Sequence, residues 1–443
     1  MLEKIFKLKE NNTTAKTEII AGLTTFMTMA YIIALNPNLL TGFGKDTMPE
    51  LWNGVFLATC IASAIGTIVM AFLANKPFAM APGMGLNSFF AVVVTNIVAL
   101  TGMTYVASFQ SALCIVLIEG IVFLVLSVLN IREKIVDAIP LGVRLGIAPA
   151  IGLMLLNIGV GSNAGIYSEN GGPFYAMRDF FGALTPSLAK TNMGSGYSAM
   201  VLSVVTMFVG LFAIVVLAQR GVKGAVLLGI LISSIIYWAG EAVFLGTNPF
   251  ASLATASFVP AFGDMASTTL FKFDFRGFAE IGWFTAITLI ITFCIIDMFD
   301  TIGTLIGVSD KAGMLDEKGQ LPNVKQALLA DAVATSAGAI FGTSTTTTFV
   351  ESASGVAEGG RTGLTSLIAA ILFGLSLLLS PIFLAIPSFA TAPASMFFAS
   401  SISSSALKRG TLPISFKYIR TGSSMLIPSG TDRSIFSIST SSS

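Results

Sequence analysis

The chain has 443 residues, of which 54% are hydrophobic and 11% are charged, and its mean hydropathy is +0.85. A soluble globular protein carries roughly 25% charged residues, so this composition excludes that class and indicates a polytopic membrane protein. The net charge of +1 gives no reason to expect a nucleic-acid partner. The chain has no histidine and its three cysteines lie far apart in apolar runs, so we predict no metal site, no cofactor and no hydrolase triad.

A helix needs roughly 20 apolar residues to cross a hydrocarbon core about 30 Å thick. By this criterion the sequence predicts an all-α protein with twelve spans. In chain order the predicted spans are 18–40, 51–73, 79–100, 105–129, 138–161, 196–219, 222–245, 279–307, 325–341, 343–357, 363–386 and 387–402.

The basic residues indicate the orientation, because short cytoplasmic loops retain Lys and Arg. If residues 1–17 are cytoplasmic, thirteen Lys and Arg residues lie at cytoplasmic positions and five lie outside. We therefore predict a cytoplasmic N-terminus in a multi-pass protein of the plasma membrane, with the compact loops typical of a bacterial inner membrane.

Two of the predicted spans are interrupted. The third opens with "FAMAPGMGLNSFF", where Pro82 removes a backbone donor and Gly83 and Gly85 lower helix propensity. The tenth opens with "GTSTTTTFVESASGVAEGG", whose β-branched run favours extended backbone ahead of a short helix. The first interruption lies about sixty residues after the start of span 1, and the second lies about sixty residues after the start of span 8. A matched pair of this kind predicts an inverted-repeat transporter whose binding site lies at the middle of the bilayer.

Carboxylates occur inside the spans. Asp297 and Asp300 are three residues apart in span 8 and share one helix face, and Glu351 lies in the second interrupted span. An acidic residue at the centre of a span costs roughly 2.5–3.5 kcal/mol, so such residues are by default a substrate or ion site. The alternatives are a polar contact between helices and, for Glu351, a helix N-terminal carboxylate. Glu119 and Asp331 are weaker candidates that we leave outside the predicted site.

The predicted site combines three carboxylates with the Asn87 amide, the hydroxyls of Thr345 to Thr348 and nearby phenylalanines. These groups suit a flat, uncharged ring that carries N–H donors, whereas an anion would be repelled. A bare cation is the alternative ligand, since carboxylates and hydroxyls also coordinate ions. With no histidine available, any proton coupling has to run through carboxylates, and Asp297, Asp300 and Glu351 meet that description.

Three segments, "APGMGLNSFF", "CIIDMFDTIGTLIGVSDKAGMLDEKG" and "GTSTTTTFVESASGVAEGGRTGLTSL", occur in this order. They resemble the signature segments of the AzgA-like adenine/guanine/hypoxanthine permeases of the nucleobase-ascorbate/nucleobase-cation symporter superfamily. The resemblance covers about residues 1 to 394. It implies proton-coupled uptake of purines by alternating access, on a fold of fourteen spans in two inverted seven-span repeats.

The resemblance also implies the roles of individual residues. A purine would be held by Asn87, Asp297 and Glu351, with Asp300 as the companion acid and with Phe89, Thr348 and Ser352 as further lining residues. Asp297, Asp300 and Glu351 would couple transport to protons. The implied partners are a purine nucleobase, a proton and the lipid bilayer, with a homodimer as an option.

The same resemblance implies a division into a core domain and a gate domain. The expected segments are a first core half at 18–129, a first gate half at 130–245, an extracellular loop at 246–278, a second core half at 279–386 and a partial gate at 387–402. Residues 403–443 are rich in serine and contain no run that could span a bilayer, so about twelve of the fourteen spans are expected. The alternatives to a purine permease are therefore a cation transporter or channel on a related fold, and an inactive truncated permease.

Overall fold

A computed structural model describes residues 2–129 and 197–387, together with 390 and 393, apart from residues 43, 45–46, 223, 247, 249, 251–257, 312 and 315–320. The predicted span 138–161 lies outside the described residues, as does nearly all of span 387–402 and the serine-rich segment after it.

The first half of the described chain contains six helices and one short strand. They are α1 Leu2–Phe6, α2 Ala15–Met29, α3 Tyr31–Leu40, α4 Pro49–Val69 with a π-helical turn at Met70–Ala74, β1 Met80–Pro82, α5 Met84–Thr101 and α6 Tyr105–Val128.

Nine helices and a second strand follow among the described residues. They are α7 Tyr197–Gln219, α8 Ala225–Gly240 with a π-helical turn at Glu241–Leu245, α9 Phe262–Thr268, α10 Phe275–Glu280, α11 Trp283–Lys311, α12 Val324–Phe341, β2 Thr346–Thr348, α13 Ser352–Ala357, α14 Gly363–Ser376 and α15 Ser380–Ala385, with a 3-10 turn at Leu377–Leu379.

Seven helical segments of the described chain are long and apolar enough to cross a membrane. They are Ala15–Leu40, Pro49–Ala74, Met84–Thr101, Tyr105–Val128, Ala225–Phe244, Trp283–Leu305 and Gly363–Phe383. Each lies on a predicted span, and the limits differ by a few residues. The chain is therefore a multi-pass membrane protein.

Local sequence accounts for several helix ends. Thr14, Thr104 and Thr362 each cap a helix, because their side chains accept a hydrogen bond from a backbone N–H of the first turn. The α12 helix ends at Gly342, whose φ of 101° lies in the left-handed region that glycine tolerates. Span 1 is divided at Ala30 into α2 and α3.

The two interrupted spans meet in a short antiparallel ladder. Met80 pairs with Thr348, Ala81 with Thr347 and Pro82 with Thr346. A helix follows each strand, so the two spans cross the ladder in opposite directions. Each strand has its own support. Thr67 of α4 donates to the Met80 carbonyl and accepts from its N–H, and Thr335 of α12 donates to the Thr346 carbonyl.

The α4 and α12 helices pack closely beside this ladder. A Cβ added to Gly66 would lie 2.7 Å from the Cβ of Ala334, so no side chain fits between the helices there. The α12 helix also packs along α6, and α14 packs against α2 and α4. The α7 and α8 helices pack along each other, and α8 contacts α2 and α3.

A buried acid joins the start of span 1 to the start of span 11. Glu18 of α2 accepts hydrogen bonds from the backbone N–H groups of Arg361, Thr362 and Thr365 at 2.9–3.3 Å, and from the Thr365 hydroxyl at 2.6 Å. Its side chain is fully buried. These donors satisfy the carboxylate and cap the N-terminus of α14, where a negative charge is favourable.

Candidate substrate and proton site

The helices that follow the two strands, α5 and α13, are each held to the ladder by one side chain. Asn87 of α5 donates to the Pro82 carbonyl at 3.1 Å and accepts a short hydrogen bond from the hydroxyl of Ser344, just before β2. Ser352 of α13 accepts from the N–H of Ala79, just before β1, at 3.0 Å. Both side chains are fully buried. In this conformation Asn87 and Ser352 therefore hold the crossing together.

Glu351 lies at the other end of β2, immediately before α13. Its Oε1 accepts a hydrogen bond from the Tyr31 hydroxyl at 2.8 Å, and its Oε2 receives no side-chain hydrogen bond from the described residues. Tyr31 is buried at the break between α2 and α3. The half-buried Glu351 carboxylate therefore has one oxygen held by the protein and one that can accept from a ligand.

Asp300 of α11 is the acid that faces the ladder. Its Oδ2 accepts from the Thr347 hydroxyl at 3.2 Å, and a Cβ added to Gly83 would lie 3.4 Å from the same oxygen. The side chain is half-buried and lies close enough to Tyr31 and Glu351 to interact with both electrostatically. The structure therefore brings Asp300 and Glu351 together, and neither forms an ion pair within the described part of the chain.

Asp297 lies one turn earlier on α11 and is fully buried. The Thr301 hydroxyl lies 3.3 Å from Asp297 Oδ1 and 2.8 Å from Asp331 Oδ1 on α12. The hydrogen bond between Asp297 and Thr301 thus continues to Asp331 of α12. The structure places Asp331, which the sequence analysis left outside the site, in direct contact with this group.

Glu119 is also in contact with the residues around the ladder. Its Oε2 accepts from the Thr345 hydroxyl at 2.6 Å, and the Thr345 carbonyl accepts from the Gly83 N–H at 3.0 Å. Glu119 is fully buried on α6. This second acid from outside the predicted set therefore supports the start of β2.

The threonine side chains of β2 lie on two opposite faces of the strand. Successive side chains in a strand point to opposite faces, so Thr346 and Thr348 lie on the face opposite to Thr347. Thr346 packs near Gly338 of α12, whereas Thr347 bonds to Asp300. Thr348 is buried, and its hydroxyl has no hydrogen-bond partner among the described residues. Thr347, rather than Thr348, is therefore the hydroxyl beside the acid.

The phenylalanines near the motifs pack between spans. The ring centroid of Phe89 lies 4.8 Å from that of Phe293, and Phe90 packs edge-on against Phe109 at 5.2 Å. Phe299 belongs to an apolar cluster with Phe123. Phe89 follows Asn87 by two residues, which is about 200° around a helix. The two side chains therefore point in nearly opposite directions.

Sequence reasoning missed Tyr31, and it did not single out Thr301 as a bridge between acids or Thr347 among the threonines of its run. Each is an ordinary residue of an apolar or β-branched run, and its partner is between 30 and 320 residues away in the chain. The polar face that Thr301 shares with Asp297 was the one usable signal, because residues four apart on a helix are neighbours.

A cavity of about 670 Å³ lies elsewhere, and none of the predicted site residues lines it. Its lining includes Lys7, Lys76 and Arg361, with Glu10 bonded to Lys7 at 3.2 Å. Burial lowers the pKa of Lys76, which lies after the π-helical turn of α4. This cavity is separate from the acids at the ladder.

The chain matches known proteins over most of its length. Residues 16–430 match the model of the Xan_ur_permease family, described as a permease family. The matched range continues past Ala394, where the resemblance of the motifs ends.

Several curated relatives are similar in sequence. The putative permease MJ0326 of Methanocaldococcus jannaschii is 39% identical over 393 residues, which are 89% of this chain and 80% of the relative. The adenine permease AdeP of Escherichia coli is 36% identical over 397 residues, with 90% and 79% covered. The guanine/hypoxanthine permease PbuO of Bacillus subtilis is 37% identical over 393 residues, with 88% and 81% covered.

A solved structure shares the fold. The transmembrane domain of the cyanobacterial bicarbonate transporter BicA superposes with a TM-score of 0.64 at 15% identity, covering 90% of this chain and 91% of that one. This likeness identifies the inverted-repeat transporter fold and nothing about the substrate. The family match and the sequence relatives show that the chain belongs to this permease family, as an AzgA-like nucleobase permease and not an enzyme.

Proposed function

We propose that this chain takes up purine nucleobases, namely adenine, guanine or hypoxanthine, across the plasma membrane in symport with protons. The observation that carries the proposal is the pair of half-buried carboxylates, Asp300 and Glu351, beside the crossing of the two interrupted spans. The named specificities of AdeP and PbuO support a purine as the ligand.

The ligand contacts follow from the oxygens that the protein leaves available. Glu351 Oε2 and Asp300 Oδ1 receive no side-chain hydrogen bond from the described residues, so each can accept an N–H of a purine. The resemblance assigns the aspartate contact to Asp297, whereas the geometry favours Asp300 because it faces β2. Contacts of Asn87, Phe89, Thr348 and Ser352 with the purine remain part of the proposal.

Two acids that face one ligand also suit coupling to protons. Two ionised carboxylates at close range repel each other. A proton on one of them removes this repulsion, so both acids can lie beside an uncharged purine at a lower free-energy cost. We assign the coupling to the group of Asp297, Asp300 and Glu351. Alternating access then moves the loaded site from one side of the bilayer to the other.

The proposal includes the domain division and the orientation. The core would comprise 18–129 and 279–386, and the gate would comprise 130–245 and 387–402, with 1–17 in the cytoplasm and 246–278 outside. The packing of α7 along α8 supports a gate unit of these two helices, which contacts the core where α8 meets α2 and α3. A homodimer is part of the same proposal, and light scattering of the detergent-solubilised protein tests it.

Uptake by cells that lack their own purine transport tests the function. We expect accumulation of radiolabelled adenine, guanine or hypoxanthine that unlabelled purines inhibit, that uracil inhibits weakly, and that a protonophore abolishes. Replacement of external Na⁺ by choline distinguishes proton from sodium coupling. Accumulation that neither unlabelled purines nor a protonophore reduces would contradict the proposal. Purine binding without accumulation would indicate an inactive permease.

A further inference from the structure

One hydroxyl lies between two buried carboxyl groups. Thr301 Oγ1 is 2.8 Å from Asp331 Oδ1 and 3.3 Å from Asp297 Oδ1. All three side chains are buried. The group joins α11 to α12 and lies beside the ladder acids, since Asp331 interacts electrostatically with Asp300.

The number of hydrogens limits the charge of this group. A threonine hydroxyl carries one hydrogen and two lone pairs, whereas an ionised carboxylate can only accept. Thr301 can therefore donate to only one of the two acids. Hydrogen bonds to both acids require that one of them is protonated. The protonated carboxyl then donates to the Thr301 hydroxyl, and the hydroxyl donates to the other, ionised carboxylate.

The surroundings favour transfer along this chain of hydrogen bonds. The residues next to the acids, Met298 and Ala332, belong to an apolar cluster with Phe123. These apolar side chains offer a proton no hydrogen-bond partner, whereas the Thr301 hydroxyl contacts both acids. The acid of the ladder that interacts electrostatically with this group is Asp300 on α11.

We propose that, within the coupling group, Asp297 holds the transported proton and shares it with Asp331 through Thr301, while Asp300 and Glu351 bind the purine. The inference rests on the proposed function and assigns the proton to a place within it. In the transfer, Asp297 gives its proton to the Thr301 oxygen while Thr301 gives its own proton to Asp331. One proton moves, the hydroxyl is restored and no other bond changes.

The position of Asp331 gives this transfer a direction. Asp331 is the eighth residue of α12, which begins at Val324, so about 10 Å of helix separates it from the start of that helix. In the proposed orientation that end of α12 is cytoplasmic. The proton therefore moves from Asp297 to Asp331, toward the cytoplasmic side, as the purine is released.

The test uses the purified full chain in proteoliposomes that contain a pH-sensitive dye. Proton entry on addition of hypoxanthine, adenine or guanine is measured alongside exchange of the same radiolabelled purine between the two sides. Exchange requires the purine site but no net proton transfer. We compare Thr301→Val, which keeps the shape and removes the hydroxyl, with Thr301→Ser, which retains it.

We expect Thr301→Val to lower proton entry per purine at least tenfold while exchange stays within threefold of wild type, and we expect Thr301→Ser to restore proton entry. The matched control is Thr292→Val on the same helix, because the Thr292 hydroxyl donates to the Thr288 carbonyl and its loss should change neither readout. Asp331→Asn should reproduce the effect of Thr301→Val, and it carries the test if the valine variant does not fold.

Normal proton entry in Thr301→Val or in Asp331→Asn would overturn the inference, even though purine exchange continued. Loss of exchange and proton entry together in either folded variant would also overturn it, because the group would then belong to the purine site. Failure of the wild type to exchange purines would instead refute the proposed function. The two failures are therefore distinguishable.

Discussion

The two interrupted spans form a first and a second crossing at the ladder. Their backbones have the same arrangement, and their side chains differ in chemistry. The first, β1 followed by α5, contributes Met80, Ala81 and Pro82 to the ladder and carries no ionisable residue. The second, β2 followed by α13, contributes three threonines and is followed directly by Glu351. Each is fastened to the other by one buried polar side chain, Asn87 or Ser352.

This difference shows that an inverted repeat can duplicate a framework while concentrating the reactive groups on one copy. Asp297, Asp300, Asp331 and Glu351 all belong to the second half of the chain. The first half supplies partners for that half, such as the Tyr31 hydroxyl for Glu351 and the Glu119 carboxylate for Thr345. The first crossing thus provides shape, and the second provides the acceptors.

Removal of the charge from the second crossing should have the largest effect. In Glu351→Gln an acceptor oxygen is replaced by a donor amide, so we expect purine binding to weaken by about 2–3 kcal/mol, or roughly 30- to 150-fold in Kd. Titration of the purified protein with radiolabelled purine measures this. The control is Glu280→Gln, at an exposed position at the end of α10. Unchanged affinity in Glu351→Gln would remove the chemical distinction between the crossings.

The two fastenings should differ in strength. Asn87→Ala leaves the Ser344 hydroxyl and the Pro82 carbonyl without their partner, whereas Ser352→Ala leaves only the Ala79 N–H. A buried polar group without a partner costs about 1–3 kcal/mol, so the melting temperature should fall further in Asn87→Ala. Thermal unfolding in detergent measures both.

A larger fall in melting temperature for Ser352→Ala than for Asn87→Ala would contradict this ranking of the two side chains. Purine titration below both melting temperatures separates stability from binding. Loss of affinity in folded Asn87→Ala would assign that amide to the substrate as well.

The support that the first half gives to Glu351 should have a smaller effect. Tyr31→Phe keeps the buried ring and removes the hydroxyl, which costs about 1 kcal/mol, so we expect KM for purine uptake to rise roughly fivefold. The matched control is Tyr105→Phe, which removes the hydroxyl of a half-buried tyrosine bonded at 2.9 Å to the Leu40 carbonyl, and should leave KM unchanged. Equal KM values in both variants would show that Glu351 needs no partner from the first half.

The close approach of the crossings at Gly83 should give the smallest effect. A Cβ there would lie 3.0 Å from the Thr347 hydroxyl, so Gly83→Ala should displace that hydroxyl by a few tenths of an ångström from Asp300. We expect initial uptake to fall about two- to threefold, the result of partial loss of one hydrogen bond. Gly303→Ala on α11 is the control, because a Cβ there would meet no atom within 4 Å. A loss as large as that in Glu351→Gln would place Gly83 at the purine itself.

Much of this arrangement follows from local sequence. Hydropathy locates the spans, Pro82 and the threonine run locate the interruptions, and the cost of burying a charge identifies the acids of span 8 and Glu351. These signals depend on neighbours within a few residues, so a single sequence contains them.

The partners of those acids depend on packing between distant segments. The pairing register decides that Thr347 and not Thr348 faces Asp300, because a shift of one residue would exchange the two faces of β2. Tyr31 and Asp331 reach the site only because α3 and α12 pack against the ladder. Nothing within its own span marks Tyr31, and Asp331 is a single acid whose span gives no sign of its partners, which is why the sequence analysis omitted the first and left the second outside the site.

The Glu18 carboxylate has a consequence for how this protein is made. Its nearest backbone donor in sequence, the N–H of Arg361, is 343 residues further along the chain. A ribosome that adds about 5–20 residues per second reaches that point roughly 17–70 s after Glu18. Throughout this interval an acid destined for a dry interior has none of these donors, so the emerging first helix has to keep it hydrated or hold it near the membrane surface until span 11 arrives.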